Sequence, residues 1–226
     1  MVNIEKELQS KKDPIRAKIL SRFFKTGKGE YGEGDIFLGI VVPIQRAIAK
    51  KYKDVSLKEI QKLLDSKIHE YRLTGLLVLV EKYKEDKELV YNFYIKNFRN
   101  INNWDLVDLT APKIMGDFLK DKKKDILYSL AISDDLWERR ISIIVTFAFI
   151  KDNDFKDALK ISKILLNDKH DLIHKAVGWM LREIGNRDCD KLYYFLTEHY
   201  KEMPRTMLRY AIEKFDEDTR KAFLNN

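Results

Sequence analysis

Apolar residues recur at three- and four-residue spacing along most of the chain, for example Leu73, Leu76, Leu77 and Val80. That spacing lines one face of an α-helix, so it predicts amphipathic helices. Five segments read as a polar helix, a short turn and a more apolar helix. They pair 56–64 with 68–83, 87–98 with 104–119, 124–130 with 136–150, 155–166 with 172–184, and 191–200 with 204–215. Upstream, the pattern adds helices over 4–9, 14–24 and 43–52. Ser56 followed by Glu59 reads as a capping box, and Pro204 suits a first helical turn, where its missing N–H has no partner to lose. Nine Gly and four Pro are few for 226 residues, which favours long helices joined by short connections over an all-β fold.

The apolar second helices can be laid over one another. Glu70-Tyr71-Arg72-Leu73 matches Glu138-Arg139-Arg140-Ile141, then Ile173-His174-Lys175-Ala176, then Pro204-Arg205-Thr206. Arg72, Arg140, Lys175 and Arg205 fall at nearly equivalent places, 68 (two units of 34), 35 and 30 residues apart. A period in the thirties with two helices per unit predicts an all-α superhelix of HEAT-like repeats, one domain spanning 1–226. Its second helices would line a concave face, and a cation near the start of each would draw a basic stripe matched to a phosphate backbone. The alternative is that these cations sit at solvated helix ends and pair with Glu70, Glu138 or Glu183.

Charge sharpens the choice of partner. Lys and Arg total 43 against 36 Asp and Glu, a formal charge of +7 that favours an anionic partner without requiring one. The single cysteine, Cys189, excludes an intramolecular disulfide and a cysteine-based zinc site. Lys6, Lys11 and Lys12 interrupt any signal-peptide pattern, and the longest apolar stretch, 141–150, is too short to span a bilayer. A cytoplasmic protein with no membrane partner is expected.

Candidate chemistry concentrates in Asn102-Asn103-Trp104-Asp105-Leu106-Val107-Asp108. On a helix, Trp104 and Asp108 stand at i and i+4 and share a face. A carboxylate beside an indole can cradle a cation, one supplying charge and the other its negative ring face. From these residues alone the favoured reading is plainer: Trp104 a core aromatic, with Asp105 or Asp108 a cap. Trp179 shares its helix with His174, Lys175, Arg182 and Glu183, polar company for so large a ring, while Trp137 opens a very apolar helix and reads as core. The glycine-rich segment 27–35 superficially resembles a phosphate-binding loop, but no strand precedes it and Glu30, Glu33 and Asp35 would repel phosphate. His170 and His174 stand at i and i+4 without a third ligand at motif spacing, so a solvated helix start is expected there, with no metal and no cofactor.

Several stretches together carry a family resemblance. They are 23–35 followed by Phe37-Leu38-Gly39 and Pro43, then Asn103-Trp104-Asp105-Leu106-Val107-Asp108, Leu136-Trp137-Glu138-Arg139-Arg140, and 175–183. In this order, over essentially the whole chain, they resemble the AlkD-like DNA alkylation repair glycosylases. The glycine-rich segment departs from the best-known members and matches a commoner branch. The resemblance implies HEAT-like repeats wrapped around duplex DNA and excision of cationic N3- and N7-alkylated purines without drawing the base into a pocket. It implies that Asp108 is the catalytic carboxylate and that Trp104 and Trp179 pack against the sugar and backbone at the lesion. It also implies that Arg140 grips phosphate; the stripe drawn by the repeat adds Lys175, Arg72 and Arg205 as candidate DNA contacts, and Arg139 stands as the alternative to its neighbour Arg140.

That chemistry is coherent, because an alkylated purine is already a good leaving group and a carboxylate can stabilise the positive charge developing on the sugar. Two other classes remain open: a non-catalytic HEAT protein reading damaged or branched DNA, and a protein-interaction solenoid. Adjacent helical positions lie about 100° apart, so only one of Arg139 and Arg140 can point squarely at a phosphate. A monomer is expected.

Overall fold

The computed structural model describes residues 4–225, and these form helices and connecting turns. Among the described residues no strand forms, and Ile36 and Ile68 make one isolated parallel bridge. No helix among them is long and apolar enough to cross a membrane. The chain divides into two compact units, Met1–Thr110 and Ala111–Asn226.

The first unit holds α1 (Ile4–Ser10), α2 (Pro14–Phe23), α3 (Val42–Lys51), α4 (Leu57–Leu64), α5 (His69–Lys82) and α6 (Lys87–Lys96), and ends within α7 (Trp104–Ala111). The expected capping box forms at α4: the Ser56 hydroxyl accepts from the Glu59 amide while the Glu59 carboxylate accepts from the Ser56 amide. Asp86 caps α6 through the Leu89 amide. At the centre, α5 packs on α3 and α4 and touches α1 and α6. Every residue from His69 to Leu79 is buried, as expected for a helix surrounded on all sides. Among them His69, Glu70 and Arg72 can carry charge near neutral pH, and burial demands partners for each.

The second unit contains α8 (Asp117–Leu119), α9 (Asp125–Ala131), α10 (Leu136–Val145), α11 (Phe147–Lys151), α12 (Lys156–Ile164), α13 (Asp171–Gly185), α14 (Cys189–His199), α15 (Arg205–Ala211) and α16 (Glu217–Asn225). Its centre is α13, which packs on α10, α14 and α15, with α11 and α12 also against it. The expected helix order is present, and the pairs α4/α5, α9/α10 and α12/α13 pack against each other.

Three elements differ from the sequence reading. The helix expected over 104–119 widens to a π turn over Pro112–Gly116, because Pro112 has no amide hydrogen and the regular ladder cannot run through it. The helix expected over 136–150 breaks at Thr146, whose hydroxyl bonds back to the Ile143 carbonyl at 2.6 Å and competes with the backbone ladder. The chain also adds α16, a strongly polar helix with no buried residue, which an apolar pattern could not reveal.

Candidate functional site

The first turn of α5 gathers distant parts of the first unit. The His69 amide donates to the Ile36 carbonyl at 2.9 Å and the Ile36 amide to the Lys67 carbonyl at 3.0 Å, which lays segment 35–40 along the start of the helix. Glu70, 1% exposed, turns its carboxylate onto that segment and accepts from the amides of Leu38, Gly39 and Ile40 at 2.9, 2.8 and 3.2 Å. Gly39 is required there. Its φ is +89°, and a Cβ would stand 2.1 Å from the Asp13 carbonyl oxygen.

Segment 35–40 delivers Asp35 into a buried row of charges. Its Oδ1 accepts from Arg72 Nη2 at 2.6 Å, and its Oδ2 faces His69 Nδ1 at 3.1 Å and Asn103 Nδ2 at 3.2 Å. On the other side of the imidazole, His69 Nε2 meets Asp105 Oδ2 at 2.9 Å. The order is therefore Arg72, Asp35, His69, Asp105, alternating in sign. Burial alone would push the His69 imidazole down, but the carboxylates of Asp105 and Asp35 outweigh it and raise it to about 9. Burial likewise opposes ionisation of Asp35, yet His69, Arg72 and Asn103 together hold its carboxyl below the usual range.

An aromatic cluster covers this row. Phe37 stacks on His69 with centroids 4.5 Å apart, and Phe24 packs on both Phe37 (4.9 Å) and His69 (5.0 Å). The far face of the cluster is Trp104, stacked on Phe24 at 5.0 Å with planes 6° apart and met edge-on by Phe23 at 5.9 Å. Trp104 opens α7, where the Asn103 side-chain oxygen accepts its amide at 2.9 Å. One turn on stands Asp108, half-buried like Trp104 and on the same face. Burial pushes the Tyr94 hydroxyl well up, its bond to Thr110 offsets part of this, and the Asp108 charge adds to the rise.

The glycine-rich turn before Asp35 uses its own acids. Glu30 accepts the Gly27 amide at 2.8 Å and Glu33 the Gly29 amide at 2.7 Å, so these donors serve the loop itself.

In the second unit, Trp179 is half-buried, its Nε1 3.3 Å from Glu183 and its ring 5.7 Å from Phe147. Trp137 is buried in the core. Arg139 donates from Nε to Asp168 at 2.7 Å and from Nη1 to the Ser133 and Asp134 carbonyls at 2.8 and 2.9 Å. Its neighbour Arg140 is 5% exposed and bonds the Leu172 carbonyl. Lys175 is partly exposed and pairs with Asp171 one turn back at 2.6 Å. Arg205, exposed at the start of α15, donates to the Leu224 carbonyl. His170 caps α13 through its Nδ1, and His174 Nε2 meets the Asp168 carbonyl at 2.6 Å.

The sequence model of the family described as DNA alkylation repair enzyme matches residues 4–215. The chain belongs to this family. No curated protein matches it. Among solved structures, the alkylation repair protein is similar to one described as "Predicted DNA alkylation repair enzyme from Enterococcus faecalis", at 16% identity and a TM-score of 0.72. The match covers 92% of this chain and 98% of the other. At that identity the likeness shows a shared fold.

Membership in the family gives this enzyme a role in DNA repair, and the sequence-derived residues can be placed against that role. Trp104 and Asp108 come together on α7. The cationic stripe is altered: Arg72, 4% exposed, is tied to Asp35 and to the Ser66 carbonyl at 2.8 Å, which makes it an internal cation of the first unit. Each of the three glutamates has a bond of its own. Glu70 serves backbone amides, Glu138 accepts from the Ser133 hydroxyl at 2.6 Å, and Glu183 takes Arg187 at 3.0 Å. Sequence reasoning passed over His69 and Phe24. Each sits within or beside a motif, but nothing in their local spacing announces partners more than thirty residues away.

Proposed function

We propose that this alkylation repair protein is a DNA glycosylase, hydrolysing the N-glycosidic bond of cationic N3- and N7-alkylated purines in duplex DNA without drawing the base into a pocket. The observation that carries this reading is the pairing on α7 of Asp108 with Trp104, both half-exposed, the indole backed by the flat Phe24 ring. An alkylated purine carries a positive charge. As the C1′–N bond breaks, its electron pair leaves with the base, which becomes neutral, and positive charge passes to the deoxyribose. The Asp108 carboxylate stabilises that charge and orients the water that attacks C1′, taking its proton as the C–O bond forms. The exposed part of the Trp104 ring adds cation–π attraction of about 1–2 kcal/mol when desolvated.

In the second unit, Trp179, Lys175 and Arg205 are the accessible side chains suited to sugar and phosphate. Arg139 and Arg140, held by internal acceptors, contribute mainly positive field. The whole span 1–226 acts as one DNA-binding domain, monomeric and working in the cytoplasm, with no metal or cofactor in the chemistry.

The experiment is release of 7-methylguanine from methylated duplex DNA by wild type and Asp108→Asn, with binding followed in parallel. Release that falls at least about 100-fold in the variant while binding persists supports the assignment. Salt-sensitive binding with no release from wild type would instead identify a non-catalytic reader of damaged or branched DNA.

A further inference from the structure

We propose that Asp35, His69 and Asp105 are positioning residues for base excision, fixing through Asn103, Phe24 and the first turn of α7 the direction in which Trp104 and Asp108 face their substrate. The inference rests on the glycosylase reading for its rate consequence, and on the packing of the first unit for its geometry.

Three separate holds converge on Trp104. Its amide is fixed by the Asn103 side-chain oxygen, whose amide nitrogen is in turn bound to Asp35. Its ring lies on Phe24, which also contacts His69 and Phe37. Its neighbour Asp105 is anchored by His69. Each hold leads back to Asp35 or His69. The imidazole has a carboxylate on each nitrogen, so it cannot turn without breaking both bonds. Apolar packing tolerates small rotations, whereas bonds to both ring nitrogens specify one orientation.

The glycine-rich turn thereby acquires a task. Lys25 turns the chain out of α2 with φ +52°, and its carbonyl accepts the Gly32 amide at 3.0 Å. Gly32 lies so close under α2 that a Cβ would stand 2.3 Å from the Phe24 carbonyl oxygen. One compact turn therefore presents Phe24 at its start and Asp35 at its end, the two residues that reach α7 by stacking and by hydrogen bonding.

Removing one partner from a buried charge row costs stability, whereas a near-isosteric neutral side chain can leave the protein folded with the orientation lost. That separation makes the proposal testable. His69→Gln and the near-isosteric Asp105→Asn are compared with wild type and Asp108→Asn in two measurements. The first is acrylamide quenching of Trp104 fluorescence in the full-length chain carrying Trp137→Phe and Trp179→Phe. The second is single-turnover release of 7-methylguanine at saturating protein, with affinity for undamaged duplex alongside.

Positioning predicts that quenching of Trp104 rises in His69→Gln and Asp105→Asn. It predicts release falling about 10–100-fold while affinity changes less than about two-fold. Asp108→Asn should lose release with Trp104 quenching unchanged. If His69→Gln does not fold, Asp105→Asn carries the test. Folded variants with wild-type quenching and wild-type release would overturn the inference. If wild type itself releases no base, the glycosylase reading fails, and the quenching measurement still decides whether these residues hold Trp104.

Discussion

The indole of Trp104 lies flat on the ring of Phe24, with centroids 5.0 Å apart and planes 6° from parallel. The contact joins the end of α2 to the start of α7. Phe24→Leu keeps an apolar side chain but removes the flat support. It should cost about 0.5–1.5 kcal/mol beyond lost burial, lowering the thermal midpoint by a few degrees. Excision should drop by more than this loss of stability explains. A variant as active as wild type per folded molecule would show that the support is dispensable.

Charge on the lesion should govern the rate. Asp108 and Trp104 favour a cationic base and a positive sugar, so 7-methylguanine should leave far faster than a neutral adduct of similar size. Competition between the two lesions in otherwise identical duplexes measures this directly. Equal rates would mean that the carboxylate and indole do not discriminate by charge.

Stability should depend on pH through His69. The folded imidazole is raised to about 9 against an ordinary 6.5, so the folded state binds the proton more tightly than the unfolded chain. Its contribution is complete below about 6.5 and disappears as pH climbs through about 9, a loss of roughly 2–4 kcal/mol. Asp35 acts in the opposite range: its lowered carboxyl contributes above its ordinary value and loses that contribution as pH falls. Denaturant titrations from pH 6 to 10 should show the alkaline decline in wild type and a flatter profile in His69→Gln.

Gly39→Ala should be among the most damaging changes of a single methyl group. The position combines φ +89° with a Cβ clash at the Asp13 carbonyl, and its amide serves the buried Glu70 carboxylate. A loss of about 2–4 kcal/mol is expected, read as a lower denaturant midpoint with unchanged slope. Loss below about 0.5 kcal/mol would mean that the loop relaxes freely.

Lys175→Ala and Arg205→Ala test the accessible cations. Each should reduce the slope of log affinity against log salt by about one and weaken binding without changing lesion preference. Arg72→Met should leave the salt slope unchanged, because its guanidinium is already committed to Asp35.

Much of this was readable from local spacing. The three- and four-residue apolar rhythm determined that the chain is helical and divided it into hairpins, because that rhythm follows from helix geometry within a single segment. The i, i+4 relation of Trp104 and Asp108 was fixed for the same reason, and the order of motifs pointed to the family. The tertiary structure decided which charges reach the surface. Arg72, Lys175 and Arg205 occupy similar places in the repeat, yet Arg72 is buried against Asp35, 37 residues earlier, while Lys175 and Arg205 stay accessible. It also assembled Asp35, His69 and Asp105, each about 35 residues from the next, into one row. Helical periodicity is a property of neighbours along the chain, whereas the partner of a buried charge depends on which segments cross in space. A sequence rhythm can therefore place a residue on a face without saying what that face will meet.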